Sequence, residues 1–273
     1  MTNKILIISL SICFLIGCKA NEKDNGKYPL PTTESNAGVL PNTWVFILAG
    51  QSNMAGRGKV EPIDTISNPR ILTIDKEGNL IIAKEPIHFY EPTMAGLDCG
   101  LSFGNELLKT IPDSITILII PTAVGGSSIS QWINDSTFRN VSLLSNFKEK
   151  VRIGEMHGTI KAILWHQGET DASKSETIEI YDNQLQKLFG LFRNEINDKN
   201  LPIFIGELGS YSKTNDKWQS INSKIKTYKN TDTNAFLINT NDLNHNGDNL
   251  HFNSEAQREL GKRYAREFIK NQK

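Results

Sequence analysis

The chain has 273 residues, 38% hydrophobic and 22% charged, a mix that excludes a disordered or collagen-like protein. Its 30 basic side chains balance 30 acidic ones, so nothing in the overall charge favours nucleic acid as a partner. The length suits one large domain or two small ones, with enough material for a sizeable core, and 3 cysteines cannot form the even-numbered framework of a small disulfide-rich module.

Lys4 precedes Ile5 to Ile16, a run that is apolar apart from Ser9 and Ser11. A charged start and a short apolar segment describe a secretory signal, and the run is too short for an ordinary transmembrane helix. It leads into Leu15-Ile16-Gly17-Cys18, which resembles a bacterial lipobox. The expectation is a signal peptide over 1–17 and lipidation of Cys18. That makes the protein an exported bacterial lipoprotein, anchored to a membrane in the periplasm or at the cell surface. Cleavage elsewhere, with Cys18 incidental, is the alternative. Residues 18–42 are polar and read as a flexible tether, because they offer too little apolar surface to offset the entropy of ordering. Cys13 leaves with the signal, and Cys99 reads as a small core residue rather than a nucleophile.

The body, 43–273, alternates two kinds of segment. Trp44 to Ala49, Ile115 to Ile120, Ile160 to Trp165, Ile203 to Gly206 and Ala235 to Ile238 are continuous apolar runs, as expected of strands buried on both faces. Arg70 to Asp75 and Leu80 to Ala83 predict a hairpin around Lys76-Glu77-Gly78-Asn79. Helices are expected over Leu101 to Lys109, Glu176 to Ile196, Trp218 to Tyr228, and Ser254 to Ile269 with Ser254 as its cap. Glu85 to Asp98 and Ser136 to Lys148 read as loops. The fold class is α/β, one domain, with a parallel sheet covered on both faces.

In such sheets reactive groups gather beyond the carboxyl ends of the strands. Ser52 follows the first strand, where its hydroxyl can project over the sheet edge, but a hydroxyl is a weak nucleophile without a base. Asp248 and His251, three residues apart before the last helix, supply one: the carboxylate can fix the imidazole tautomer while the other ring nitrogen takes a proton. Gly125-Gly126 can bring a backbone amide close to a developing oxyanion, and Gln167 carries a further amide. Glu169 is a competing orienter of the histidine. Each feature alone reads more plainly as a turn, a cap or a loop organiser. Trp132 and Trp165 flank these loops and could face a sugar ring or belong to the core. A second arrangement, His245, His251, Asp242 and Asp248, carries metal-ligand residue types, although no His-Glu-x-x-His motif is present.

Four segments together resemble a known family. Leu48-Ala49-Gly50-Gln51-Ser52-Asn53-Met54-Ala55-Gly56 is similar to the first block of SGNH-type hydrolases, in the branch of sialate O-acetylesterases and family-six carbohydrate esterases. Gly125-Gly126-Ser127-Ser128-Ile129 with Trp132 resembles the second block, Trp165-His166-Gln167-Gly168-Glu169 the third, and Asp248-Asn249-Leu250-His251-Phe252 the last. The resemblance implies a three-layer α/β/α sandwich around a flavodoxin-like parallel sheet, the SGNH hydrolase fold. It implies a serine esterase that removes O-acetyl groups from carbohydrates, whether acetylated xylan, another glycan or O-acetyl sialic acid. Carried over by position, Ser52 is the nucleophile, His251 the base and Asp248 its orienter. The amides of Ser52, Gly126 and Gln167 form the oxyanion hole, with Gln51, Gly125 and Glu169 as possible support. No metal and no cofactor is implied, and the partners expected are an acetylated carbohydrate and, through Cys18, a membrane. A glycan-binding lipoprotein without catalysis and a metal-assisted hydrolase are the competing readings, with a peptidase or lipase further off. The α/β-hydrolase elbow is excluded, since Met54 stands where Gly-x-Ser-x-Gly needs its last glycine.

Overall fold

The structure, a computed structural model, describes residues 42–272. The expected signal peptide, Cys18 and all but the last residue of the expected tether lie outside the described residues. Strand β1 (Thr43–Gly50) runs into a single helical turn, α1 (Ser52–Ala55). The hairpin of β2 (Ile71–Ile74) and β3 (Leu80–Ile82) follows, then α2 (Gly100–Leu107) and β4 (Thr116–Pro121). Next come α3 (Ile129–Ile133), a short antiparallel pair β5 (Thr137–Phe138) and β6 (Val141–Ser142), α4 (Leu143–His157) and β7 (Thr159–His166). Helices α5 (Ser175–Glu179) and α6 (Tyr181–Ile196), β8 (Ile203–Gly206), α7 (Asn215–Thr231), β9 (Ala235–Ile238) and α8 (Ser254–Lys270) complete the chain.

The main sheet has the order β3-β2-β4-β1-β7-β8-β9, and every pairing is parallel except β2 with β3. Side chains alternate across a strand, so β1 sends Val45, Ile47 and Ala49 into one core and Phe46 and Leu48 into another. Helices α3, α4, α6 and α7 cover the first face, for example through Trp132, Phe147, Leu188 and Ile221. Helices α2 and α8 cover the second through Phe103, Leu260 and Phe268. The result is a three-layer α/β/α sandwich. Without the β2–β3 edge, the order β4-β1-β7-β8-β9 is the flavodoxin arrangement. Its crossovers leave β1 toward β4 on one side and return to β7 on the other, which opens a crevice over the carboxyl ends of β1 and β7.

Several local expectations change. The segment 176–196 is broken at Ile180, which is exposed and leaves the helical conformation (φ −98°, ψ 3°). Only the stripe of Tyr181, Leu185, Leu188, Phe189 and Phe192 is buried. Ser136 to Lys148 is not a loop throughout: it holds the β5–β6 hairpin and the start of α4, whose Leu143, Phe147 and Val151 repeat at helical spacing. The cap of α8 is Asn253, whose side chain accepts the Ala256 N–H, while Ser254 donates its hydroxyl to the Lys59 carbonyl. Trp132 and Trp165 are fully buried edge-to-face, ring centres 5.6 Å apart, and offer no surface to a sugar. Cys99 is buried beside the Met54 sulfur, and burial pushes its thiol well above the ordinary range, as for an inert core residue.

Candidate active site

The site begins where β1 and β7 end side by side. Gly50 adopts φ +138°, and a Cβ there would lie 2.1 Å from the His166 carbonyl oxygen, so only glycine fits. The Gln51 N–H donates to that same carbonyl at 3.0 Å, and the chain turns directly into α1 with Ser52 at its first position.

Asn53 then ties this turn to the far end of the chain. Its amide donates to Glu169 Oε1 (2.5 Å) and to the Leu250 carbonyl (3.1 Å), and its oxygen accepts the Phe252 N–H (2.9 Å). Gln257 of α8 donates to the Asn53 carbonyl at 2.9 Å. These bonds seat the 248–252 loop over Ser52. His251 Nε2 lies 3.1 Å from Ser52 Oγ, and His251 Nδ1 lies 2.6 Å from Asp248 Oδ2. The other Asp248 oxygen accepts the N–H groups of Leu250 (2.9 Å) and His251 (2.8 Å). Partial burial would raise the Asp248 carboxyl, but those two N–H groups and the His251 ring outweigh it and hold it below the ordinary carboxylate range. An ionised carboxylate can only accept, so Nδ1 carries the ring hydrogen and Nε2 presents its lone pair to Ser52.

The carboxylate on the His251 ring is therefore that of Asp248, not Glu169. Glu169 is buried under the site, bonded to Asn53, and its Oε1 lies 3.4 Å from His166 Nε2, too long for a well-formed hydrogen bond. Burial pushes the Glu169 carboxyl up, yet the His166 ring and the Asn53 amide bring it net below its ordinary value. Gln167 also departs from expectation. Its side chain is fully buried, and its two amide hydrogens face three acceptors: Gln51 Oε1 (3.0 Å), the Ser127 carbonyl (3.1 Å) and Asp171 Oδ2 (2.6 Å). Its oxygen accepts the Tyr181 hydroxyl at 2.8 Å. Gln167 thus knits three loops together beneath the site, and its side chain has nothing left for an oxyanion. Gln51 supports the same junction, since its oxygen also accepts the Thr170 N–H at 3.3 Å.

The two glycines of the second block have different fates. The Gly125 N–H donates to Glu91 Oε2 at 2.6 Å. The Gly126 N–H has no acceptor among the described residues; Gly126, at φ +80°, lines a cleft of about 340 Å³ with Ser52 and His251. Gln51, Gly125 and Glu169 also line it, and Arg57, Met94, Arg139, Thr170 and Leu250 complete its wall. A larger groove, about 610 Å³, lies at the opposite ends of the strands between Trp44 and Asn271 and holds no nucleophile with a base. Asn53, inside the first block, was given no role by sequence reasoning, and Arg57, Glu91 and Arg139 lie outside all four blocks, with only the proximity of Arg57 to Ser52 as a signal.

The alternative metal set does not converge. Asp242 is held by Arg263 through both oxygens (2.7 and 2.6 Å) and drawn down to about 2, first by that guanidinium. His245 Nδ1 accepts the N–H groups of Gly247 (3.0 Å) and Asn249 (3.1 Å). Among the described residues no group of three or more metal-ligating side chains comes together.

A flavodoxin-order sheet with serine, histidine and aspartate in contact at its switch point defines an SGNH-type hydrolase. The chain belongs to the carbohydrate esterase, sialic acid-specific acetylesterase family, whose profile matches residues 42–270. An Arabidopsis thaliana protein named "Probable carbohydrate esterase" is 30% identical over 249 residues, which span 85% of this chain and 92% of that one. The crystal structure of that plant protein superposes with a TM-score of 0.74 at 28% identity, over 85% of this chain and 99% of its own. NanS shares the fold at 18% identity and a TM-score of 0.69, covering 85% of this chain and 98% of NanS. A carbohydrate acetylesterase from Xanthomonas citri shares it at 17% identity and 0.61, over 82% of this chain and 55% of its own. The protein is a carbohydrate acetylesterase, a carboxylic ester hydrolase.

Proposed function

We propose that this esterase removes O-acetyl groups from sugars through an acetyl-serine intermediate on Ser52. The observation that supports it is the unbroken relay from Ser52 Oγ through the His251 ring to Asp248, at 3.1 and 2.6 Å. His251 Nε2 takes the Ser52 proton as Oγ attacks the acetyl carbonyl. The N–H groups of Ser52 and Gly126, neither committed to another acceptor among the described residues, stabilise the tetrahedral oxyanion. His251 then gives its proton to the departing sugar oxygen. A water, deprotonated by the same ring, hydrolyses acetyl-Ser52 to acetate. Asp248 holds the ring and balances its charge throughout.

The family description directs the first assays to O-acetyl sialic acid, with acetylated xylan and a simple aryl acetate beside it. Ser52→Ala lowers acetate release by about 10³-fold or more in this reading, since the nucleophile carries the covalent step. Rates equal to wild type would discard the serine mechanism. We also propose, from the sequence alone, that Cys18 carries a lipid that holds the enzyme at a membrane. The full chain then incorporates labelled fatty acid in a bacterial host and Cys18→Ser does not; equal labelling would refute the anchor.

A further inference from the structure

We propose that Glu91 is a positioning residue for the oxyanion site: its buried carboxylate pins Gly125, so that the next amide in the chain, that of Gly126, is held at the reacting carbonyl. The inference rests on the Ser52 reading above.

Glu91 sits in the Glu85 to Asp98 loop, yet its side chain is only 6% exposed. Oε2 accepts both the Gly125 N–H (2.6 Å) and Arg57 Nη2 (2.7 Å), and Oε1 accepts Arg139 Nη1. Arg57 is as buried as Glu91 and also donates to the Gly56 carbonyl at 2.7 Å, just beyond the Ser52 turn. One carboxylate therefore joins the segment after β1, the loop after β4 and the tip of the β5–β6 hairpin.

Buried ion pairs are poor sources of stability compared with apolar packing, so a geometric task accounts better for this one. That task is visible at Gly125. A Cβ there would lie 2.1 Å from Arg57 Nη2 and 2.6 Å from Glu91 Oε2, so the backbone rests directly on the ion pair. A Gly-Gly segment has wide conformational freedom and needs such a fixed point. An oxyanion donor works only within a few tenths of an ångström of its target. Arg139 is held in a left-handed conformation (φ 49°), as is Asn140 (φ 65°), the geometry of a two-residue hairpin turn in which arginine is not a favoured residue. Its pairing with Glu91 stabilises that turn at the rim of the cleft.

The test uses the full chain carrying Glu91→Asp or Glu91→Gln, assayed on an aryl acetate and on an O-acetyl sugar. Asp keeps the charge that both arginines require but withdraws the carboxylate from Gly125; Gln keeps the length and loses the charge. Because the oxyanion is common to both esters, kcat falls about tenfold or more on each in both variants, with KM within about threefold. Unchanged kcat in Glu91→Asp would overturn the proposal. So would a rise in KM confined to the sugar ester, which assigns Glu91 and Arg139 to sugar binding. An inactive Ser52→Ala beside a fully active Glu91→Asp removes the clamp alone, whereas an active Ser52→Ala removes the mechanism on which it rests.

Discussion

The substitution Asp248→Asn perturbs the relay with the least change of shape. The side-chain oxygen that remains can still accept the N–H groups of Leu250 and His251, which Asp248 now holds at 2.9 and 2.8 Å. The other terminal atom, 2.6 Å from His251 Nδ1 in the wild type, becomes an NH₂ donor. Nδ1 must then accept, the ring hydrogen moves to Nε2, and the lone pair facing Ser52 is gone. A wrong tautomer in a serine–histidine–aspartate relay costs about 10⁴ in kcat, or about 5.4 kcal/mol at 1.36 kcal/mol per tenfold. The Asp248 side chain is 41% exposed, so water can partly restore the ring, and about 10³ is the lower bound expected. Acetate release from an aryl acetate and a sugar ester, with KM and kcat separated, measures the effect. A kcat within tenfold of wild type would show that Asp248 does not set the tautomer. The pH sign is fixed as well. Asp248 is held below its ordinary value, so its charge is present above about pH 4 and lost only as pH falls through that lower value. Activity lost on the acid side at higher pH belongs to other groups.

Asn53→Ala cuts the bonds from the Ser52 turn to Glu169, Leu250 and Phe252; it lowers kcat together with an unfolding free energy reduced by about 2–4 kcal/mol, read by denaturant titration. Trp132→Ala destabilises by about 3–5 kcal/mol without raising KM for a sugar ester at a temperature where it stays folded, because that ring is core. Asp64 carries a different signature: partial burial raises its carboxyl, but the two-oxygen contact with Arg258 (2.8 and 2.7 Å) more than offsets this and lowers it. Its contribution is full above about pH 4 and fades as pH falls through the lowered value, so Asp64→Asn flattens the acid limb of stability against pH. Parallel acid limbs in the two proteins would refute that assignment.

The chain's own pattern was sufficient for an α/β fold with a covered parallel sheet, whereas the triad candidates needed the four-block resemblance, because each of them alone reads as a turn or a cap. Continuous apolar runs such as Trp44 to Ala49 are short and β-branched or aromatic, as strands covered on both faces are, and the polar residues after parallel strands fall at one sheet edge, where Ser52 and Glu169 lie. Local chemistry also linked Asp248 to His251 across three residues. Folding alone decided the rest, because hydrogen bonds and ion pairs carry no sequence period. Ser52 meets His251 across 199 residues, Asn53 meets Glu169 across 116, and Glu91 gathers Arg57 and Arg139 from 34 and 48 residues away. Whether Gln167 faced the cleft or the loops beneath it, and whether Gly125 or Gly126 kept a free amide, depended on which buried acceptors lay within about 3 Å. A buried donor or acceptor takes the partner that packing brings to it, and that choice exists only once the layers close.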